Sequence, residues 1–276
     1  MKKTPEKKTA GKKTAGKKKT GRRQGNLKAV LANPSYLEAD RDPEFLQDDE
    51  TRGVRLQLEY YKAERQLRRH GVRHTILVLG STRIREVSTG NHSKEKNSFY
   101  AIARQFGRLV GTAGKRHGVG VMTGGGPGLM EAANRGALEA GAPSIGLNIV
   151  LPREQRPNPY LTPGLCLRFR YFALRKLHFL LRARALVAFP GGFGTFDELF
   201  ETLTLVQTKK IRPIPIVLVG ESYWRRAFDM EFLVEHGVVG PQDRNLFAYA
   251  ERADETWRAI RRWYSGRREP MFPDAP

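Results

Sequence analysis

One cysteine, Cys166, stands in a chain of 276 residues. A lone thiol excludes an intramolecular disulfide and a multi-cysteine metal site, and it agrees with a reducing compartment, so a cytoplasmic location is expected. Long apolar runs are also missing. Nothing approaches the roughly 20 residues of a membrane span, and no membrane partner is expected. The first residues are charged but lack the apolar stretch of a secretory signal. Two nucleotide-binding signatures are absent as well. Counting from Gly124, G-x-G-x-x-G would place glycine where Leu129 stands, and no G-x-x-x-x-G-K-[ST] occurs. No His/Cys/Asp cluster has metal-ligand spacing, so neither a metal nor a cofactor is expected.

Acids are scarce: 28 Asp and Glu face 49 Lys and Arg, a formal net charge of +21. Ten of those charges fall in residues 1–25, which hold eleven Lys/Arg and one acid, Glu6. This stretch repeats KKTAG and its variants. It cannot bury enough apolar surface to offset its ordering entropy, so it is expected to be a disordered tail. It reads either as a solubilising arm or as a salt-sensitive, nonspecific contact with nucleic acid. It has no aromatic residue to stack on bases, which argues against specific readout.

Hydrophobic residues make up 39% of the chain, a shortfall concentrated in the tail. The remaining 251 residues suit one large domain with extensions. Residues 26–73 read as an N-terminal extension with a helix over Thr51–His70. Then short apolar runs alternate with helical patterns. Strands are expected at His74–Gly80, Val119–Gly126, Ser144–Leu151, Ala185–Gly192 and Ile214–Gly220. Helices are expected near Asn97–His117, Pro127–Gly141, Phe172–Arg184, Thr195–Lys209 and Ser222–His236. Residues 241–276 read as a helical extension, with a helix over Ala250–Tyr264. Such alternation implies an α/β domain over 74–240, a parallel sheet covered on both faces.

Three of the expected strands end in glycine turns: Gly80-Ser81, Gly124-Gly125-Gly126 and Gly191-Gly192. Ligands bind at the carboxyl ends of strands in such sheets, so the three turns should meet at one edge. Pro127 reads as the first helical residue, which would leave Gly124–Gly126 as bare backbone before a helix N-terminus and suited to an anion. A tight strand-to-helix turn is the alternative. In PGGFGTFDE (Pro190–Glu198), Thr195 reads as a helix N-cap with Glu198 at capping-box spacing.

PGGFGTFDE also matches PGGxGTxxE. Arg175-Lys176 stands 23 residues ahead of the motif glutamate, and TGGGPGLMEAANRGA and GLNIVLPREQRPNPY resemble two further segments of the same pattern. Over His74–Trp224 the chain resembles the LOG family, the cytokinin riboside 5′-monophosphate phosphoribohydrolases and their bacterial relatives, long labelled lysine decarboxylases. It departs where the family has Met-His-x-Arg-Lys and this chain has Phe172-Ala173-Leu174-Arg175-Lys176; the changed residues adjoin the arginine and bear on base preference.

The resemblance implies a Rossmann-like, doubly wound parallel sheet. It implies cleavage of the N-glycosidic bond of a nucleoside 5′-monophosphate, AMP or a cytokinin riboside monophosphate, to free base and ribose 5-phosphate. Glu198 is implied as the catalytic acidic residue, and Arg175 as a second catalytic residue that pairs with it or contacts the nucleotide. Gly191, Gly192, Gly194 and Thr195 would hold the 5′-phosphate. Gly80, Ser81, Gly124, Gly125, Gly126, Glu154, Lys176 and Thr204 are further substrate-binding candidates. A homodimer or higher homo-oligomer is implied. Each residue also has a plainer reading: Glu198 as a cap, Arg175 as a solvated helix arginine, Glu154 as a loop acid, Thr204 as packing. His178 reads as an interface histidine, and Asp197 and Glu201 as solvated or capping. A nucleotide carrier without catalysis would share the fold and the phosphate loops; the Arg175/Glu198 pair argues against it. Lys176, directly behind Arg175, is a poor Schiff-base lysine, which argues against pyridoxal phosphate chemistry.

The tail has no apolar side chain larger than alanine between Lys2 and Gln24 except Pro5. A chain beginning at Asn26 is therefore expected to melt at the temperature of the full-length protein, measured by circular dichroism. A fall of many degrees would show that the tail contributes to the core.

Overall fold

The computed structural model describes residues 13–86, 93–150 and 156–273. Contacts divide the chain into two units, 1–57 and 58–276. The first holds helix α1 (Lys13–Leu31), a 3-10 turn at Pro34–Tyr36, helix α2 (Pro43–Gln47) and a second 3-10 turn at Asp49–Thr51. Polar side chains organise it. Asn33 accepts from the N–H of Ser35, and Asp42 accepts from those of Glu44 and Phe45. The Arg55 guanidinium donates to the carbonyl of Leu46 and the hydroxyl of Thr51. Helix α1 begins at Lys13, inside the stretch whose composition predicts disorder. Residues 22–31 are all exposed, Leu27, Val30 and Leu31 included. Residues 1–12 lie outside the described residues.

The second unit begins within helix α3 (Arg52–Arg69) and continues as β1 (His74–Leu79), α4 (Ser93–Gly114), β2 (Val119–Thr123), α5 (Leu129–Glu139), β3 (Ser144–Ile149), β4 (Cys166–Phe169), α6 (Phe172–Leu181), β5 (Ala183–Ala188), α7 (Phe193–Gln207), β6 (Ile216–Val219), α8 (Glu221–Ala227), α9 (Met230–Glu235), β7 (Ala248–Ala250) and α10 (Ala253–Arg267). The strands form one parallel sheet in the order β4-β3-β2-β1-β5-β6-β7. This is the doubly wound α/β fold expected from the alternation. All five expected strands are present. The two missed ones are the outermost. β4 is four residues long with Cys166 and Arg168 exposed, so it lacks a continuous apolar run, and β7 has three residues.

Alternate residues of the strands feed two cores. Ile76 and Val78 join Phe106, Val110, Leu129 and Phe189 on one face. Leu77 and Leu79 join Leu67, Phe179, Leu199 and Trp224 on the other. Both faces are thus apolar, which is why the inner strands read as continuous hydrophobic runs.

Residues 241–273 pack against the sheet. β7 pairs with β6, and Ala253, Ile260 and Tyr264 of α10 lie in the first core. The chain end also grips the lower edge of the sheet. Arg184 donates to the carbonyls of Met271 at 2.7 Å and Pro270 at 3.0 Å, and His74 donates to that of Pro273 at 2.8 Å. The helix expected over Ser222–His236 is broken at Phe228, which is extended, and Asp229 caps α9.

Helices α4 and α5 cross at van der Waals contact of their backbones. A Cβ on Gly136 would lie 1.9 Å from the carbonyl oxygen of Arg104, and one on Gly107 would lie 2.2 Å from that of Ala133. Backbone cannot yield as a flexible side chain does. Gly136→Ala is expected to separate the helices and to cost about 1–3 kcal/mol, the range for overpacked cores, measured by urea denaturation. An unchanged midpoint would show that the crossing is not tight.

Candidate active site

The strand order reverses between β1 and β5, so the connections leave their carboxyl ends in opposite directions and open a crevice. A cavity of about 1520 Å³ occupies it. The three glycine turns, from β1, β2 and β5, meet there. Ser81 ties them together. Its N–H donates to the carbonyl of Pro190 at 3.0 Å, and its carbonyl accepts the N–H of Leu129 at 3.0 Å. Gly80, Ser81, Thr82 and Arg83 all line the cavity.

The turn after β2 differs from its expected form. Helix α5 starts at Leu129 with Gly128 as N-cap at φ 76°, so Pro127 lies outside the helix. The Gly125 N–H donates to the Thr123 hydroxyl at 2.9 Å. The carbonyls of Gly125 and Gly126 accept from Asn158, whose side chain also reaches Asn134. The Gly125 N–H, a donor an anion would need, is thus already used, and the two carbonyls are tied to Asn158. Gly124 lines the cavity, while Gly125 and Gly126 do not. A tight strand-to-helix turn describes those two glycines.

The turn after β5 is corrected as well. Helix α7 starts at Phe193 with Gly192 as N-cap. Thr195 is therefore the third helical residue and not the cap, and its N–H donates to the Gly192 carbonyl at 2.9 Å. A Cβ on Gly191 would lie 2.1 Å from the Thr195 hydroxyl oxygen, so only glycine allows that threonine to fold back. The Gly191 carbonyl accepts from the Tyr223 hydroxyl at 2.5 Å. The N–H groups of Phe193 and Gly194 precede any i−4 acceptor and face the cavity end of the helix.

Because the helix starts two residues early, Glu198 falls in its second turn and caps nothing. Its side chain is 8% exposed and pairs with Arg175, which is 13% exposed, at 3.2 Å. Arg175 comes from α6 across the cavity. Its Nε donates to the Leu147 carbonyl at 2.7 Å, and its guanidinium lies 4.8 Å from the centre of the Phe179 ring. A Cβ on Gly124 would come within 2.7 Å of Arg175 Nη2, so this glycine makes room for the cation. Burial pushes the Glu198 carboxyl above its ordinary value, against the downward pull of Arg175. Desolvation sets the direction of the shift. Burial also pushes the Arg175 guanidinium down.

Other candidates lie elsewhere. Lys176 is held by Asp197 at 2.8 Å and Glu201 at 3.3 Å and does not line the cavity. Thr204 is exposed and donates to the carbonyl of Phe200, one turn back on its own helix; Thr202, two residues before it, is buried and bonded to the Glu198 carbonyl at 2.7 Å. His178 packs between the Tyr60 and Phe169 rings, 3.6 Å from Glu64. Glu154 lies outside the described residues. The cavity adds residues that motif reading did not reach. Asn148 donates to the Gly124 carbonyl at 3.3 Å, and its polar side chain within the apolar run SIGLNIVL was a usable signal. Phe172, at the departure from the family pattern, is in the wall, as are Arg83, Tyr223 and Arg226. Among the described residues no lysine lines the cavity, and no group of three His, Cys, Asp or Glu could hold a metal. No helix among them is long and apolar enough to cross a membrane.

A family model described as "Possible lysine decarboxylase" matches residues 130–260. The cytokinin riboside 5′-monophosphate phosphoribohydrolase LOG7 of Arabidopsis thaliana is 28% identical over 192 residues, 68% of this chain and 83% of its own. The probable cytokinin riboside 5′-monophosphate phosphoribohydrolase LOGL5 of Oryza sativa subsp. japonica is 28% identical over 173 residues, 61% of this chain and 68% of its own. Among solved structures, the Moco carrier protein from Chlamydomonas reinhardtii gives a TM-score of 0.46 at 22% identity, covering 70% of this chain and 99% of that one. The sequence matches bear out the resemblance carried by the paired motifs: the chain is similar to members of the LOG family, at low identity.

Proposed function

We propose that this chain hydrolyses the N-glycosidic bond of a nucleoside 5′-monophosphate, releasing free base and ribose 5-phosphate. One observation carries the reading: a desolvated carboxylate, Glu198, held by Arg175 on the cavity wall one turn beyond a helix N-terminus. A phosphate at the N–H groups of Phe193 and Gly194 would set the sugar against that carboxylate. The departing base takes the electron pair of the C1′–N bond and leaves an oxocarbenium-like centre. Glu198 stabilises that charge and takes a proton from the attacking water, whose oxygen bonds to C1′; the base nitrogen takes a proton from solvent, to which Glu198 later returns its own. Arg175 orients the carboxylate.

The curated relatives are named for cytokinin riboside 5′-monophosphates. The wall formed by Phe99, Met130, Phe172, Phe179 and Phe196 suits a purine with or without an apolar substituent. AMP and a cytokinin riboside monophosphate are therefore the substrates of this proposal. A decarboxylase using pyridoxal phosphate would need a lysine in the wall, and the described lining has none. A homodimer belongs to the same proposal: Phe172, Leu177 and Leu181 of α6 and Phe193 and Phe200 of α7 are exposed apolar residues that a second copy would cover.

Glu198→Gln keeps size and removes charge. It is expected to lower kcat on the order of 10²–10³-fold while AMP binding, measured by calorimetry, persists. It also leaves the buried Arg175 without its counter-charge, so a lower melting temperature accompanies the loss. Near-full activity in a folded variant would overturn the mechanism. The raised pKa of Glu198 gives a second check. The ionised form is the active one, so the wild-type rate should fall as pH drops through a value above 4.5, the ordinary glutamate value. For stability the sign is opposite. A carboxyl whose pKa is raised in the folded state favours folding at low pH, and that contribution disappears as pH rises through the folded value. Glu198→Gln should flatten both profiles.

A further inference from the structure

Among the described residues, four charged side chains line the cavity: Arg83, Arg175, Glu198 and Arg226. Arg175 and Glu198 neutralise each other. Arg83 and Arg226 have no carboxylate partner among the described residues. Their surroundings make this notable. Arg225, next in sequence to Arg226, is held by Glu221 at 2.6 Å, and Arg104 and Arg135 share Glu139 and Glu86. Among the described residues, the cavity wall therefore carries two positive charges with no carboxylate partner.

Both segments bearing these arginines are tied to the same turn. The loop after β1 is held by the bond from the Ser81 N–H to the Pro190 carbonyl. Helix α8 is held by the bond from the Tyr223 hydroxyl to the Gly191 carbonyl. Pro190 and Gly191 immediately precede the start of α7. In the sheet, β1 and β6 flank β5 on opposite sides, so the β1 loop and α8 approach this helix start from opposite sides. An anion at the N–H groups of Phe193 and Gly194 thus meets one arginine-bearing segment on each side.

We infer that Arg83 and Arg226 select a phosphomonoester dianion, matching its two negative charges with two otherwise unbalanced positive ones. The inference rests on the phosphoribohydrolase reading and assigns its phosphate specificity to two side chains outside the motif. A phosphomonoester loses its second proton near pH 6, so it carries close to two charges at neutral pH. A neutral nucleoside leaves both arginines uncompensated. A triphosphate exceeds their charge. The backbone N–H groups would hold the phosphate in place, and the arginines would distinguish it from a hydroxyl.

Ribose 5-phosphate, with ribose as its uncharged control, tests this by calorimetry without any hydrolysis. Arg83→Gln and Arg226→Gln are each expected to weaken ribose 5-phosphate binding by about tenfold, the value of a hydrogen bond to a charged group. The double variant should lose most of the preference for ribose 5-phosphate over ribose. Wild-type affinity should rise with pH through the second ionisation of the phosphate near 6, and this rise should vanish in the double variant. Both positions are exposed, so the variants are expected to fold; circular dichroism checks this. If the wild type binds ribose 5-phosphate and the double variant binds it equally well with the same pH dependence, the arginines have no such role and the reading of the cavity stands. If the wild type does not prefer ribose 5-phosphate to ribose, both the inference and the reading beneath it are overturned.

Discussion

The ion pair between Arg175 and Glu198 constrains much of what surrounds it. Two charges withdrawn from water are tolerated only when their geometry is good and their remaining groups are bonded. Each neighbouring choice of residue answers that demand. Gly124 has no side chain because the guanidinium occupies that space. The Leu147 carbonyl, at the end of a strand, accepts the Nε proton, and the Phe179 ring lies under the cation. The carboxylate is carried on the second turn of α7 and not the first, which removes it from the helix end and into the apolar wall. Its raised pKa follows from that placement.

The frame that delivers the pair is a sheet with apolar residues on both faces. α6 and α7 reach the cavity from either side of β5, and neither could be placed without the other packing elements. The Ser81, Pro190 and Leu129 bonds join three strand ends into one body. The cavity wall is therefore assembled from segments distant in sequence but fixed to a common edge, and this rigidity is what a positioned carboxylate needs.

The inner strands and the site motif were legible in sequence, and the failures have physical causes. His74–Leu79 and Ala183–Ala188 are apolar on both faces, so they stand out as runs. Cys166–Phe169 and Ala248–Ala250 are short edge strands, and nothing in their composition distinguishes them from loop. Thr195 and Pro127 were misplaced for one shared reason. Side-chain preference marks where a helix could start, but glycines at 192 and 128 started both helices through backbone alone. Arg83 and Arg226 carry no motif at all; only the folding of separate loops onto one turn brings them to the cavity. Lys176 shows the reverse case. It adjoins the cavity-lining Arg175 in sequence, but successive helical residues point about 100° apart, and it meets Asp197 and Glu201 instead.

The grip of the chain end on Arg184 and His74 lies at the amino ends of β5 and β1, while the cavity opens at their carboxyl ends. The length of a six-residue strand, about 20 Å, separates the two. The molecule therefore has a foundation and a workbench. Loosening the lower edge would shorten the lifetime of the folded chain and leave the geometry of each surviving molecule intact.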